Sequence, residues 1–128
     1  MSRARLLVID DQVGITRVVS LIAKQLGIEC KALNNPEEAA GVFIEYMPDI
    51  VVLDMVMPEK DGIDVLNEIL LTGIPAQVIV TSGYSDSYLR LAQGLARFHE
   101  RGQISVLKKP FRRDELVSML QQFTAKAA

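Results

Sequence analysis

Five polar side chains in this sequence have the chemistry needed to hold a metal ion or to handle a phosphoryl group. They are Asp10, Asp11, Asp54, Thr81 and Lys109, and each stands at or just beyond the end of a short apolar run. An aspartate after a strand is often only a helix cap or a turn residue. Clustered carboxylates, however, repel one another unless a cation sits among them. Because hard oxygen ligands suit Mg²⁺, the set predicts a magnesium site.

Each of these groups can take part in the transfer of a phosphoryl group. A carboxylate beside Mg²⁺ can attack phosphorus and form an aspartyl phosphate. The metal separates the two anions and stabilises the oxygens of the transition state. Thr81 can donate a hydrogen bond to one phosphoryl oxygen, and Lys109 can pair with another. Positioning and charge neutralisation supply most of what this reaction needs.

The apolar runs before these residues predict the buried strands of a parallel sheet. Four runs are continuous rather than alternating, which is typical of strands covered on both faces. The continuous runs are Leu6–Ile9, Ile50–Leu53, Val78–Val80 and Ile104–Leu107. The weaker run Ile28–Leu33 alternates and is interpreted as an edge strand.

Patterns with helical spacing separate the strands. The first extends from Ile15 to Leu26, Asn35 is the predicted N-cap of the second, and Asp61 opens the third. Two further apolar sets mark a fourth and a fifth helix. The sets are Tyr88, Leu91, Leu95 and Phe98, and then Leu116, Val117, Leu120 and Phe123.

The order of strand then helix, repeated five times, predicts an α/β fold. Right-handed crossovers produce a (βα)5, doubly wound, five-stranded parallel sheet with helices on both faces. In such folds, sites form at the carboxyl ends of the strands, where the strand order reverses. We therefore expect the five polar side chains to meet at one edge of the sheet.

Four segments resemble, in order, the signature of response-regulator receiver domains. They are Asp10-Asp11, Val51–Pro58 with Asp61-Gly62, Thr81-Ser82-Gly83, and Lys109-Pro110-Phe111. The resemblance covers nearly the whole chain, and the ordered combination of motifs is highly specific. It implies the flavodoxin-like or CheY-like fold and a stand-alone receiver in two-component, phosphorelay signal transduction.

The resemblance also implies a role for each acidic residue. Asp54 would accept the phosphoryl group from a phosphohistidine. Asp11 and Asp54 would bind Mg²⁺ directly, with the backbone carbonyl of Val56 as a third ligand. Asp10 would contribute through water. The protein would then be a signalling phosphoacceptor, not an enzyme beyond its own phosphorylation and dephosphorylation.

The end of the predicted fifth strand contains both a family feature and a departure from the family. The resemblance implies that Thr81 and Lys109 move toward the phosphoryl group, and that a cis bond precedes Pro110. Strand alternation places Lys108 on the opposite face from Lys109. Receivers usually carry an aromatic residue where this chain has Val106, so the usual coupling of that residue to the threonine is in doubt.

The resemblance implies two kinds of protein partner, one that donates the phosphoryl group and one that binds the phosphorylated protein. The donor would be a histidine kinase or a histidine phosphotransfer protein. The output would be a downstream protein that binds the face formed by the fourth helix, the fifth strand and the fifth helix. The long segment Tyr84–Arg101, which contains His99, either packs its apolar side on the sheet or adds a surface for a partner or a homodimer.

Three other functions match parts of this sequence. A Mg²⁺-dependent aspartyl-phosphate phosphatase usually needs a second aspartate two residues after the nucleophile, where this chain has Val56. A flavin protein of similar fold needs a phosphate-binding loop, and Asp10-Asp11 would repel a phosphate. A receiver-like constitutive protein-binding module remains an alternative, favoured by Val106 and opposed by the intact acidic set.

Composition and charge limit the remaining classes of protein. The chain has 128 residues, of which 49% are hydrophobic and 23% charged, and this suits one domain with one core. The formal net charge of -2 gives no general attraction to nucleic acid or to an anionic membrane. We expect the receiver over residues 1–124 and a short tail over residues 125–128.

The first residues predict neither a signal peptide nor a membrane span. The apolar run Leu6–Ile9 is short, and Asp10 and Asp11 interrupt it. Cys30 is the only cysteine, which excludes an internal disulfide and suits a reducing compartment. A soluble, cytoplasmic protein is therefore expected.

Overall fold

A computed structural model describes residues 3–83, 94 and 103–127 of the chain. Its strands form one parallel sheet in the order β2-β1-β3-β4-β5. The strands are β1 (Arg5–Ile9), β2 (Glu29–Leu33), β3 (Ile50–Asp54), β4 (Gln77–Ser82) and β5 (Gln103–Lys108). This order reverses between β1 and β3, as the predicted doubly wound fold requires.

The described helices lie on both faces of this sheet. They are α1 (Val13–Gln25), α2 (Ala39–Tyr46), α3 (Gly62–Leu71) and a C-terminal helix (Arg113–Ala127). A short 3-10 turn, Pro36–Glu38, precedes α2. The C-terminal helix continues through residues 125–127, which the sequence assigned to a tail. The predicted fourth helix, with Tyr88, Leu91, Leu95, Phe98 and His99, lies outside the described residues.

Two apolar cores explain why the strand sequences are continuously apolar. Successive side chains of a strand point to opposite faces, so each central strand supplies both cores. Leu7, Val51 and Val80 pack with α2 and α3. Leu6 and Val52 pack on the other face with α1 and the C-terminal helix. The fold class predicted from the sequence is therefore confirmed.

Residues at the ends of helices show why the chain turns where it does. The Asn35 side chain accepts a hydrogen bond from the Glu37 N–H at 3.1 Å, so this predicted cap is confirmed, although it opens a 3-10 turn before α2. Gly27, after α1, has a φ of +76°, a conformation that costs glycine little.

The edges of the sheet differ from the sequence expectation in one respect. β2 lies at one edge, as its alternating pattern predicted. β5 lies at the other edge, and its side chains Ile104 and Val106 are only partly buried. The apolar run predicted a buried strand there. The strand is present and Leu107 is buried, but the prediction was wrong for the other two side chains, because an edge strand has a neighbour on one side only.

Within the residues that the structure describes, no helix is both long enough and apolar enough to cross a membrane.

Candidate functional site

The sheet order places two of the predicted acidic residues side by side. β1 and β3 are neighbours, and Ile9 pairs with Leu53 in their register. Asp10 follows Ile9 directly, and Asp54 is the last residue of β3. Carboxylate oxygens of Asp10, Asp11 and Asp54 all lie within 4.8 Å of one another. The structure therefore brings the three predicted carboxylates together.

The surroundings of Asp54 raise the pKa of its side chain. Burial, followed by the charge of Asp10, raises the pKa of Asp54 from its ordinary value of 3.8 to about 6. The positive charge of Lys109 and a hydrogen bond from the Val56 N–H, 3.3 Å from Asp54 Oδ1, oppose this rise. Holding Asp54 ionised in the absence of a metal ion therefore costs free energy.

Lys109 supplies a positive charge to the acidic cluster. Its Nζ lies 2.8 Å from Asp10 Oδ2 and 3.5 Å from Asp54 Oδ2. Lys108, one residue earlier, is exposed, in agreement with the alternation predicted from the sequence. The peptide bond between Lys109 and Pro110 is cis, as the resemblance implied.

Thr81 lies beside Asp54 in the sheet, because the two residues pair in the register of β3 and β4. Its side chain is buried, and its Oγ1 has no hydrogen-bond partner among the described residues. Leaving a buried hydroxyl without a partner costs about 1–3 kcal/mol. An oxygen of a bound group would satisfy it.

The donor set fits a hard divalent cation. Among the described residues, three carboxylates face one ammonium group, so negative charge exceeds positive charge at the cluster. Carboxylate oxygens are ligands that Mg²⁺ prefers, and a second charge centre would relieve their repulsion. The Val56 backbone lies next to the cluster through its bond to Asp54, while the role of its carbonyl stays a prediction.

The sequence motif of response regulator receiver domains matches residues 6–121 of this chain. The chain belongs to the response regulator receiver family. Receivers are signalling modules of two-component systems that interact with histidine kinases or phosphotransfer proteins, and they are typically Mg²⁺-dependent.

Two similar proteins match more than 90% of this chain but differ in how much of their own length is matched. The chain is 28% identical to the phosphate regulon regulatory protein PhoB of Pseudomonas aeruginosa, over 91% of this chain and 49% of that protein. It is 31% identical to the chemotaxis protein CheY of Listeria monocytogenes, over 92% of this chain and 96% of that protein. The chain thus spans about half of the first relative and nearly all of the second.

A solved receiver structure supports the fold. The signal receiver domain of a LuxO repressor protein from Vibrio parahaemolyticus superimposes with a TM-score of 0.84. The superposition covers 98% of this chain and 93% of that one, at 23% sequence identity. At this identity the likeness concerns the fold alone.

Two residues at the receiver site had no individual role in the sequence interpretation. Gly62 is buried, and its N–H donates to the Met55 carbonyl at 3.0 Å. The motif Asp61-Gly62 includes this glycine, but the motif alone does not explain why glycine is needed there. Asn34 donates a hydrogen bond to the Asp10 carbonyl at 2.9 Å. No sequence signal could have found this contact, because it depends on how β2 ends beside β1.

Proposed function

We propose that this receiver accepts a phosphoryl group on Asp54, with Mg²⁺ held by Asp11 and Asp54, and changes its protein-binding surface in response. The observation that carries the proposal is the cluster of three carboxylates around the Lys109 ammonium group. The buried Thr81 hydroxyl, which has no hydrogen-bond partner in the part of the chain that the structure describes, adds a donor beside Asp54. Asp10 contributes to the metal site through water, and the Val56 carbonyl is a further ligand.

The reaction is a transfer of one phosphoryl group from nitrogen to oxygen. An Asp54 carboxylate oxygen attacks the phosphorus of a phosphohistidine, and the new O–P bond forms as the P–N bond breaks. The imidazole leaves with the electron pair and takes up a proton. Lys109 pairs with one phosphoryl oxygen, and Thr81 donates a hydrogen bond to another. Mg²⁺ at the carboxylates would supply charge neutralisation for the transferred group.

An apolar groove beside the site supports docking of a protein donor. The groove has a volume of about 510 Å³, and its described lining includes Ile15 and Val18 of α1 together with Pro110 and Phe111. It also touches Lys109, so a helix seated there would present a phosphohistidine next to the acidic cluster. We infer that a histidine kinase or a histidine phosphotransfer protein is the donor.

The output is proposed to be a protein contact rather than a contact with nucleic acid or a membrane. The proposed surface is the predicted fourth helix with β5 and the C-terminal helix. The formal net charge of -2 gives no general attraction to polyanions. A homodimer through the same surface and a cytoplasmic location stay predictions.

Incubation with acetyl phosphate and Mg²⁺ should add one phosphoryl group to the protein, as measured by intact mass. We expect no mass gain in Asp54→Ala, and none in wild type when a chelator removes the metal. Asp64→Ala, which removes an exposed carboxylate of α3, is the matched control and should be phosphorylated like wild type. Rapid turnover of phosphomonoesters would favour a phosphatase, and a wild-type protein without any reaction would favour a constitutive binding module.

Lys109→Ala should leave the protein folded and able to accept the phosphoryl group, but with a weaker structural response. The ammonium contacts at 2.8 and 3.5 Å would be lost, so the Lys109 side chain could no longer follow the charge of the phosphoryl group. The measurement is the set of backbone amide chemical shifts before and after phosphorylation. Lys108→Ala, at the exposed neighbour, should respond like wild type, and an unchanged response in Lys109→Ala would contradict the proposed role.

A further inference from the structure

The loop that carries the acidic pair is tied to the end of β2. The Asp10 backbone N–H donates to the Leu33 carbonyl at 3.1 Å. The Asp10 carbonyl accepts a hydrogen bond from Asn34 Nδ2 at 2.9 Å. The peptide groups on both sides of the Asp10 Cα are therefore bound by two consecutive residues of the neighbouring chain segment.

The Asn34 amide is in turn oriented by α1. Its Nδ2 also donates to Thr16 Oγ1 at 3.1 Å, and the Thr16 hydroxyl donates its own hydrogen to the Val13 carbonyl at 3.0 Å. Both groups that face Asn34 Nδ2 are therefore acceptors. An amide nitrogen supplies two donors, whereas a serine hydroxyl supplies one and an ionised aspartate none. The position thus requires the chemistry of asparagine.

This contact reaches the metal site through the backbone. The Asp10 carbonyl and the Asp11 N–H belong to one planar peptide unit. The orientation of the carbonyl therefore also fixes the direction in which the chain continues to the Asp11 Cα. The Asp10 side chain is already held by the Gln12 N–H at 2.9 Å and by Lys109 at 2.8 Å. The hydrogen bond from Asn34 to the Asp10 carbonyl also restrains the backbone of Asp11, the residue that follows.

We propose that Asn34 is a positioning residue for the magnesium site: its amide, held by Thr16, orients the Asp10–Asp11 peptide so that the Asp11 carboxylate faces Asp54. The inference rests on the proposed function and deepens it. Asn34 itself touches neither the metal nor the phosphoryl group. Hydrogen bonds that support metal ligands from outside typically change metal affinity about 10–100-fold.

Titration of the unphosphorylated protein with Mg²⁺ by calorimetry tests the proposal. Asn34→Ala should weaken Mg²⁺ binding about tenfold. Thr16→Val should weaken it less, Thr16→Ser should bind like wild type, and the double variant Asn34→Ala, Thr16→Val should be no weaker than Asn34→Ala alone. In the metal-free protein, amide hydrogen exchange at Asp11 and Gln12 should be faster in Asn34→Ala than in wild type.

Asn35→Ala is the matched control. It removes the hydrogen bond that the Asn35 side chain accepts from the Glu37 N–H at the start of the 3-10 turn, and this bond does not reach Asp10. It should lower stability toward urea and leave Mg²⁺ affinity unchanged. If wild type binds Mg²⁺ and Asn34→Ala binds it within twofold, the inference is overturned and the proposed function stands. An equal loss of affinity in Asn35→Ala also overturns the inference. A wild-type protein that does not bind Mg²⁺ overturns both.

Discussion

Replacing Gly62 with alanine should destabilise the protein by at least about 3 kcal/mol, at the upper end of what overpacking costs. A Cβ at this position would lie 2.4 Å from the Asp54 carbonyl oxygen and 2.4 Å from the Met55 Cα. Both are backbone atoms, so no side-chain rotation can relieve the clash. Either α3 or the end of β3 must move, and urea denaturation measures the cost.

Gly41→Ala provides the matched control, since Gly41 lies inside α2 and a Cβ there would meet no atom within 4 Å. Alanine has the higher helix propensity, so this variant should be more stable than wild type by about 0.5–1 kcal/mol. If Gly62→Ala were as stable as wild type, the close approach of α3 to the end of β3 would be refuted. Phosphorylation of any folded Gly62→Ala protein should also be impaired, because the displaced atoms include the backbone of Asp54.

Asp54→Asn should make the metal-free protein more stable, by up to about 3 kcal/mol above pH 7. The pKa of Asp54 lies roughly two units above its ordinary value, and each unit corresponds to about 1.4 kcal/mol. The folded state therefore binds this proton more tightly than the unfolded chain does. The contribution of Asp54 to wild-type stability is full below about pH 4 and is lost as the pH rises through about 6.

The difference in unfolding free energy between Asp54→Asn and wild type should accordingly grow from near zero at about pH 4 to its full value above pH 7. Asp64→Asn, at an exposed position of α3, should differ from wild type by less than about 0.5 kcal/mol over the same range. Equal stability of Asp54→Asn and wild type above pH 7 would show that the Asp54 charge is not destabilising.

Addition of Mg²⁺ should cancel most of this difference in stability. A ligand at about 100 times its Kd stabilises the folded state by about 2.7 kcal/mol, and asparagine lacks the charge that holds the cation. Wild type should therefore gain stability with Mg²⁺, while Asp54→Asn should gain little. Urea denaturation at pH 7.5, with and without Mg²⁺, measures both effects in one experiment.

Both effects come from the same property of the site. The end of β3 carries a buried carboxyl group whose pKa is raised, and its backbone packs against the first residue of α3. Neither feature helps the isolated fold, because the first costs electrostatic free energy and the second tolerates no side chain. Both features are expected of the binding site that we propose for a cation and a phosphoryl group, because such a site lowers the stability of the fold.

Much of this protein could be predicted from its sequence alone. The continuous apolar runs predicted the central strands, because a strand that is covered on both faces must be apolar at successive positions. Asp10, Asp54 and Thr81 could be assigned to one edge, since the carboxyl ends of parallel strands share an edge. The ordered motifs identified the receiver family without any coordinates.

Only the tertiary structure decided which groups contact one another at that edge. Three such contacts join residues that are not neighbours in the chain. They are the approach of Lys109 to Asp10, the hydrogen bond from Asn34 to the Asp10 carbonyl, and the close packing of Gly62 on the backbone at the end of β3. Local periodicity reports which side of an element is apolar. It does not predict the order of the strands, the place where a neighbouring strand ends, or how closely two backbones pack. These three features determine which charges meet at the site and at what distances.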